Sequence, residues 1–167
     1  MKKAEVSKPK EMWIYQLQHD SNPIGRIFAA QALANFGSNE DAKILGRQLL
    51  KEKVWGVQAE IASALGIIRS EAAFEALAAG LKIKHKRARR AVVRAIGEFQ
   101  NKKVFDILKP LLFDKSSYLV PMEAGRAIGK TKDSRALPEL KKLFRFDSWR
   151  DALRTGAILG IANLKTP

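Results

Sequence analysis

The sequence predicts an all-helical fold: a right-handed α–α superhelix, or solenoid, of about five helical hairpins. Three observations predict it. The first is a repeated pattern, small-x-small-apolar-small, at Ala30–Ala34, Ala62–Gly66, Val93–Gly97, Gly125–Gly129 and Gly156–Gly160. Its large apolar residues, Leu33, Leu65, Ile96, Ile128 and Leu159, stand 32, 31, 32 and 31 positions apart, long enough for two helices and two turns. The second is a pair of further ladders in the same register, Leu45, Leu77, Leu108, Leu140 and Leu49, Leu81, Leu112, Phe144. These two ladders lie four residues apart, which is one helical face. The third is turn chemistry at Gly37–Asn39, Arg69–Ser70, Gln100–Asn101 and Lys132–Ser134, between the first and second ladders, where a hairpin must reverse.

Each element then follows in order. Helices are expected near 8–18, 22–36, 40–51, 54–68, 71–82, 85–99, 102–113, 117–131, 135–145 and 148–163. They group into repeats near 11–51, 52–82, 83–115, 116–146 and 147–167, forming one domain behind a flexible basic segment, 1–10. Ser70, Asn101 and Ser134 are candidates to cap the helices after them, and Asp147–Ser148 the last one. Pro121 and Pro138 fall in or near first turns, where a missing N–H costs little. Pro110 falls inside a helix and predicts a kink or an early stop. The small residues of the first ladder permit close helix approach, and Gly66, Gly97, Gly129 and Gly160 read as packing positions. Such repeats bury their apolar faces only by stacking on one another. The second helices of the hairpins are expected to line a concave binding face.

Composition narrows the function. The chain has 31 basic and 17 acidic residues in 167, a net charge of +14, and no cysteine. Disulfides and thiolate zinc sites are excluded. The charge points to a polyanionic partner, either nucleic acid or an acidic protein surface, with a lysine-rich surface that serves solubility as the alternative. Residues 1–10 carry four lysines and no apolar run, so they do not read as a signal peptide. No stretch is apolar for about 18 residues, so no membrane partner is expected, and the location expected is cytoplasmic. The oligomeric state is open.

Two basic sets are candidate sites. The run Lys82–Arg94 holds seven lysines and arginines and no acid. Lys84, Lys86, Arg87, Arg90 and Arg94 form a candidate stripe for an anion or partner; the alternative is a solvated helix whose aliphatic stems cover apolar surface. Lys141, Lys142 and Arg145 are candidates on a second helix, with Arg47, Lys51 and Lys109 in the same layer. Trp13, Trp55 and Trp149 are too far apart for an evident stacking platform and read as packing between repeats. Trp149 beside Asp147 and Asp151 resembles in outline the Asp–Trp site of helical-repeat DNA glycosylases, which are longer chains. Glu60, Glu123 and Glu139 show no partner predictable from spacing. No catalytic motif is present.

Residues Gly25-Arg26-Ile27-Phe28-Ala29-Ala30-Gln31-Ala32-Leu33 and Ala88-Arg89-Arg90-Ala91-Val92-Val93-Arg94-Ala95-Ile96-Gly97 resemble HEAT-like (armadillo-like) repeats of the phycobilisome-lyase type. Gln58 and Pro121 depart from that pattern where its arginine is usual. Further segments, Trp13–Leu17 with His19-Asp20, Val54–Glu60, Asp114–Tyr118, Ala127–Thr131 and Asp147–Trp149, resemble the C-terminal region of prokaryotic M1-family zinc aminopeptidases. The resemblance implies a noncatalytic C-terminal domain of a larger peptidase, with Met1 supplied at the cut, acting as a scaffold or a wall limiting substrate access. It implies that zinc belongs to an absent catalytic domain, since neither His-Glu-x-x-His nor Gly-x-Met-Glu-Asn occurs here. No cofactor is expected in this chain. The partner would be the rest of the polypeptide, reached through exposed Trp13, Ile14 and Leu17. The alternative is a free-standing adaptor for nucleic acid or acidic protein.

Overall fold

The structure is a computed structural model, and it describes residues 9–99 and 102–165. Residues 1–8, 100–101 and 166–167, with the expected turn and Asn101 cap, lie outside the described residues. The described residues form ten α-helices and no strand. The helices are α1 (Lys10–His19), α2 (Pro23–Phe36), α3 (Asn39–Lys51), α4 (Trp55–Ile68), α5 (Glu71–Gly80), α6 (Lys86–Ile96), α7 (Lys103–Leu108), α8 (Leu119–Lys130), α9 (Ala136–Phe144) and α10 (Ala152–Lys165). Helices α2, α4, α6, α8 and α10 stack side by side as one layer, and α3, α5, α7 and α9 belong to the other. This is the expected α–α superhelix.

The spine follows the ladders. Leu33, Leu65, Ile96, Ile128, Leu45, Leu77, Leu108 and Leu140 have no exposed surface. Two ladder residues at the last hairpin depart from expectation: Leu159 is 43 % and Phe144 44 % exposed. The cause is geometric. Helix α10 seats its Gly156–Gly160 edge against the backbone of α8, next to Gly125 and Gly129, and this leaves Leu159 outward. No helix among the described residues then covers the last hairpin.

The packing role of the small residues is visible in what a side chain would strike. A Cβ on Gly97 would sit 2.6 Å from the Ala127 Cβ of the next repeat, and one on Gly66 3.1 Å from that of Ala95. Helix endings also share a register. Gly37 (φ 70°), Arg69 (φ 54°) and Lys132 (φ 56°) are left-handed, each four residues beyond a spine residue. Only glycine adopts that conformation freely.

Of the expected caps Ser70 follows the sequence and Ser134 does not, while Pro110 ends its helix early as expected. Ser70 Oγ accepts from the Ala73 N–H at 3.2 Å. Ser38 and Asp41 form a reciprocal capping box. Ser134 does not cap α9; Asp133 accepts instead from the Arg135 N–H at 2.9 Å, and the helix starts at Ala136. Pro110 follows the end of α7 at Leu108, and the chain continues as a 3₁₀ turn over Lys109–Phe113. The last helix starts later than expected. Arg150 and Asp151 are left-handed within the turn Trp149–Asp151, and Ser148 Oγ accepts from the Leu153 N–H at 2.9 Å.

Candidate functional site

The basic stripe on α6 divides into two sets. Arg90 and Arg94 reach Glu123 of the next repeat, where Arg90 Nε and Arg94 Nη2 donate to Oε2 at 3.1 and 3.2 Å. Arg126 Nε donates to Oε1 at 2.7 Å. Glu123 is buried on α8, where an unpaired charge would be costly. Burial alone raises its pKa, but the bonds from Arg94 and Arg126 outweigh it and hold the carboxyl below its ordinary value. Arg90 and Arg94 are thus tied into repeat packing. The stripe free to meet a partner narrows to the lysines.

The repeat's own arginine has a structural task as well. Arg26 on α2 donates from Nε and Nη2 to Glu52 at 2.8 and 3.0 Å, and from Nη1 to the Asp20 carbonyl. Arg89 holds the equivalent place on α6 and pairs with Asp114 at 2.7 Å. Both acids sit in the segment that leads into the next helix of the layer. At Gln58, where the arginine is missing, the amide donates to the Glu52 carbonyl at 2.8 Å. Helical spacing does not reveal these pairs. The signal that finds them is opposite charge about one repeat away.

The other set remains on the surface. Lys82, Lys84, Lys86 and Arg87 are exposed. Lys82, Lys84 and Lys86 rim a shallow depression of about 430 Å³ between the α5–α6 connection and the chain leading into α8. Its apolar lining is Leu81, Ile83 and Val120. Arg89 lines it too, and its Nε is buried with no hydrogen-bond partner among the described residues. Arg87 instead lies over Trp55, 5.2 Å from the ring centroid, and His85 stacks on that ring at 5.3 Å. Trp55 therefore engages the next repeat, as the sequence suggested.

The remaining candidates separate in space. Lys142 pairs with Glu139 at 3.3 Å, and Lys109 reaches the same carboxylate from the previous repeat at 3.4 Å. Lys141 and Arg145 flank Phe144, Ile158 and Ile161 at the other end of the molecule from α1. Leu17 has no exposed surface, and Trp13 and Ile14 are half-buried against the core. The expected exposed patch on α1 is corrected: α1 packs on α2 through that face, and Met12 and Tyr15 are the apolar residues left outside. Trp149 is exposed, but Asp147 and Asp151 both pair with Arg154, so neither carboxylate beside it is free. Among the described residues no three His, Cys, Asp or Glu side chains gather to hold a metal ion. No helix among them is long and apolar enough to cross a membrane.

Comparison with known proteins places this architecture. No curated protein matches the chain significantly. A chain of the CpcE–CpcF complex of phycocyanin lyase from Nostoc sp. PCC7120 superposes with a TM-score of 0.70 at 19 % identity, over 95 % of this chain and 65 % of that one. Human deoxyhypusine hydroxylase superposes with a TM-score of 0.57 at 19 % identity, over 93 % of this chain and 73 % of that one. An engineered protein gives 0.61 at 21 % identity, over 93 % and 78 %. At these identities the likeness establishes the fold alone. The family model for HEAT repeats matches residues 11–92 and again 81–162. The two matches run through nearly the whole chain, which therefore belongs to the HEAT-repeat family.

Proposed function

We propose that this chain is a noncatalytic HEAT-repeat scaffold that docks an acidic protein surface in the depression beside α6. One observation carries the reading: three lysines with no ion pair among the described residues surround a hollow whose wall holds the unsatisfied Arg89 Nε. Its apolar lining suits a peptide segment, and a carboxylate would satisfy the buried N–H. Nucleic acid is the second reading, and the net charge favours it. Base recognition on single strands uses several free aromatic faces, however; beside this depression Trp55 is already engaged by His85 and Arg87, only Tyr118 is exposed, and the exposed Trp149 belongs to the last hairpin. The finer reading, a module of an M1-type zinc aminopeptidase, rests on the ordered segments from Trp13–Leu17 to Asp147–Trp149. Neither the family match nor the structures compared add to it. A reading frame upstream of Met1 that encodes His-Glu-x-x-His would support that module; an in-frame stop there would end it.

The docking reading is tested by charge reversal at equal net charge. Lys84→Glu with Lys86→Glu is compared with Lys51→Glu and Lys53→Glu, on binding to poly-L-glutamate and to single-stranded oligo-dT at about 150 mM salt, where screening leaves only close charge contacts. The expected result is a loss of at least about tenfold in poly-glutamate affinity for the first pair and under about twofold for the second, since a desolvated charge contact is worth more than a diffuse one. Equal losses would reduce the interaction to diffuse charge, and a selective loss of oligo-dT binding alone would favour the nucleic-acid reading.

A further inference from the structure

The last hairpin carries a second docking surface of different character. Its groove, about 550 Å³, is lined by Phe144, Ile158, Ile161 and Ala162, with Lys141 and Arg145 on its rim. Phe144 and Ile158 are 44 % and 54 % exposed. Repeat register says what such a surface accepts. Phe144 stands in the ladder of Leu49, Leu81 and Leu112, of which Leu49 and Leu112 are fully buried and Leu81 is half-buried against the core. Within the solenoid those positions are covered by packed helices.

Register also supplies the charge. Lys141 follows Leu140 as Lys109 follows Leu108. Lys109 pairs across its repeat junction with Glu139 on α9, 3.4 Å away. Lys141 is the same cation one repeat on, and no ion pair to it is found among the described residues; the same holds for Arg145. We infer that this end groove binds an amphipathic helix of a partner protein, one that lays an apolar stripe on Phe144, Ile158 and Ile161 and sets carboxylates against Lys141 and Arg145. A second copy of the chain, at +14, brings unfavourable charge to a basic rim.

The probe is a synthetic helical peptide of about four turns with leucines at i, i+3, i+4 and i+7 and glutamates flanking that stripe. Its counterpart carries lysine at every glutamate. Binding is read by fluorescence anisotropy, with light scattering to follow the mass. The expected result is binding of the acidic peptide at least about tenfold tighter than the basic one. Ile158→Asp and Lys141→Glu with Arg145→Glu should each weaken it at least about tenfold, with circular dichroism unchanged, while Lys84→Glu with Lys86→Glu leaves it within about twofold. That last arm separates this groove from the depression beside α6. Equal affinity for the two peptides, no binding of either, or a dimer that Ile158→Asp dissolves would overturn the proposal.

Discussion

Glu123 shows how single residues join the repeats. Its carboxylate sits inside α8 with three guanidinium groups around it, two of them from α6. Glu123→Gln keeps the shape and removes the charge, and it is expected to cost about 1.5–3 kcal/mol, the range for hydrogen bonds to a charged group. The arginines are partly solvated, which keeps the loss well below that of a fully buried pair. The measurement is urea denaturation. Glu52 and Asp114 behave alike: burial raises each pKa, and the bonds from Arg26 and Val54, or from Ser116 and Arg89, lower it further than burial raises it. A carboxyl with a depressed folded-state pKa stabilises the fold above its unfolded pKa and loses that contribution as pH falls through the folded value. With ordinary values of 3.8 and 4.5, stability should hold down to about pH 5 and fall below it. The Glu123→Gln protein should show a shallower fall; an equal slope would remove Glu123 from this linkage. Of these pairs only Arg126 with Glu123, three residues apart on α8, is legible from helical spacing; the arginines that reach Glu52, Asp114 and the other side of Glu123 stand in a neighbouring repeat or are met by the segment leading into it. The face of α1 misleads for a related reason: Trp13, Ile14 and Leu17 look like a patch until α2 is placed against them.

Between helices, the glycines decide how closely two backbones approach, and their positions in the sequence announce it. A Cβ on Gly129 would strike the backbone of Gly160, at 2.5 Å from its Cα, whereas one on Gly56 meets nothing within 4 Å. Gly129→Ala is therefore expected to destabilise by about 1–3 kcal/mol through overpacking. Gly56→Ala is expected to be neutral or to stabilise by up to about 1 kcal/mol, because alanine is the better helix former. Thermal denaturation of the two proteins checks both, and a Gly129→Ala protein as stable as Gly56→Ala would rule out a tight contact between α8 and α10. Helix endings are legible as positions but not as conformations. Gly37 announces a left-handed stop, but Arg69 and Lys132 occupy the same register without the residue that suits it. Arg69→Gly relieves that strain and gives up an exposed pair with Glu98 worth little. It is expected to raise the melting temperature by about 1–4 °C, since a kcal/mol is worth about 2–4 °C in a chain of this length. A fall would show that Arg69 contributes more through its contacts than its conformation costs. The late start of α10 has no sequence signal of this kind, since Trp149, Arg150 and Asp151 include no glycine or proline.

Along the full superhelix, three ladders in register make the solenoid readable before any coordinate. The same register explains what is exposed. Phe144 belongs to a ladder whose earlier members are buried or half-buried and which opens at the last hairpin, while Leu159 is turned outward by the glycine seat of α10 on α8. Function is less legible, because the stripe on α6 mixes two kinds of cation. Arg89, Arg90 and Arg94 pair between repeats, whereas Lys82, Lys84 and Lys86 make no ion pair among the described residues and are the cations proposed to meet a partner. A linear sequence shows them only as one basic run. Hydrogen–deuterium exchange with poly-L-glutamate at about 150 mM salt reads both kinds together. Slowed exchange is expected in residues 81–90 and 114–120, with the spine amides of α2, α4, α6 and α8 already slow and unchanged. Slowing spread evenly over every lysine-bearing surface, or absent from residues 81–90, would contradict a docking site beside α6.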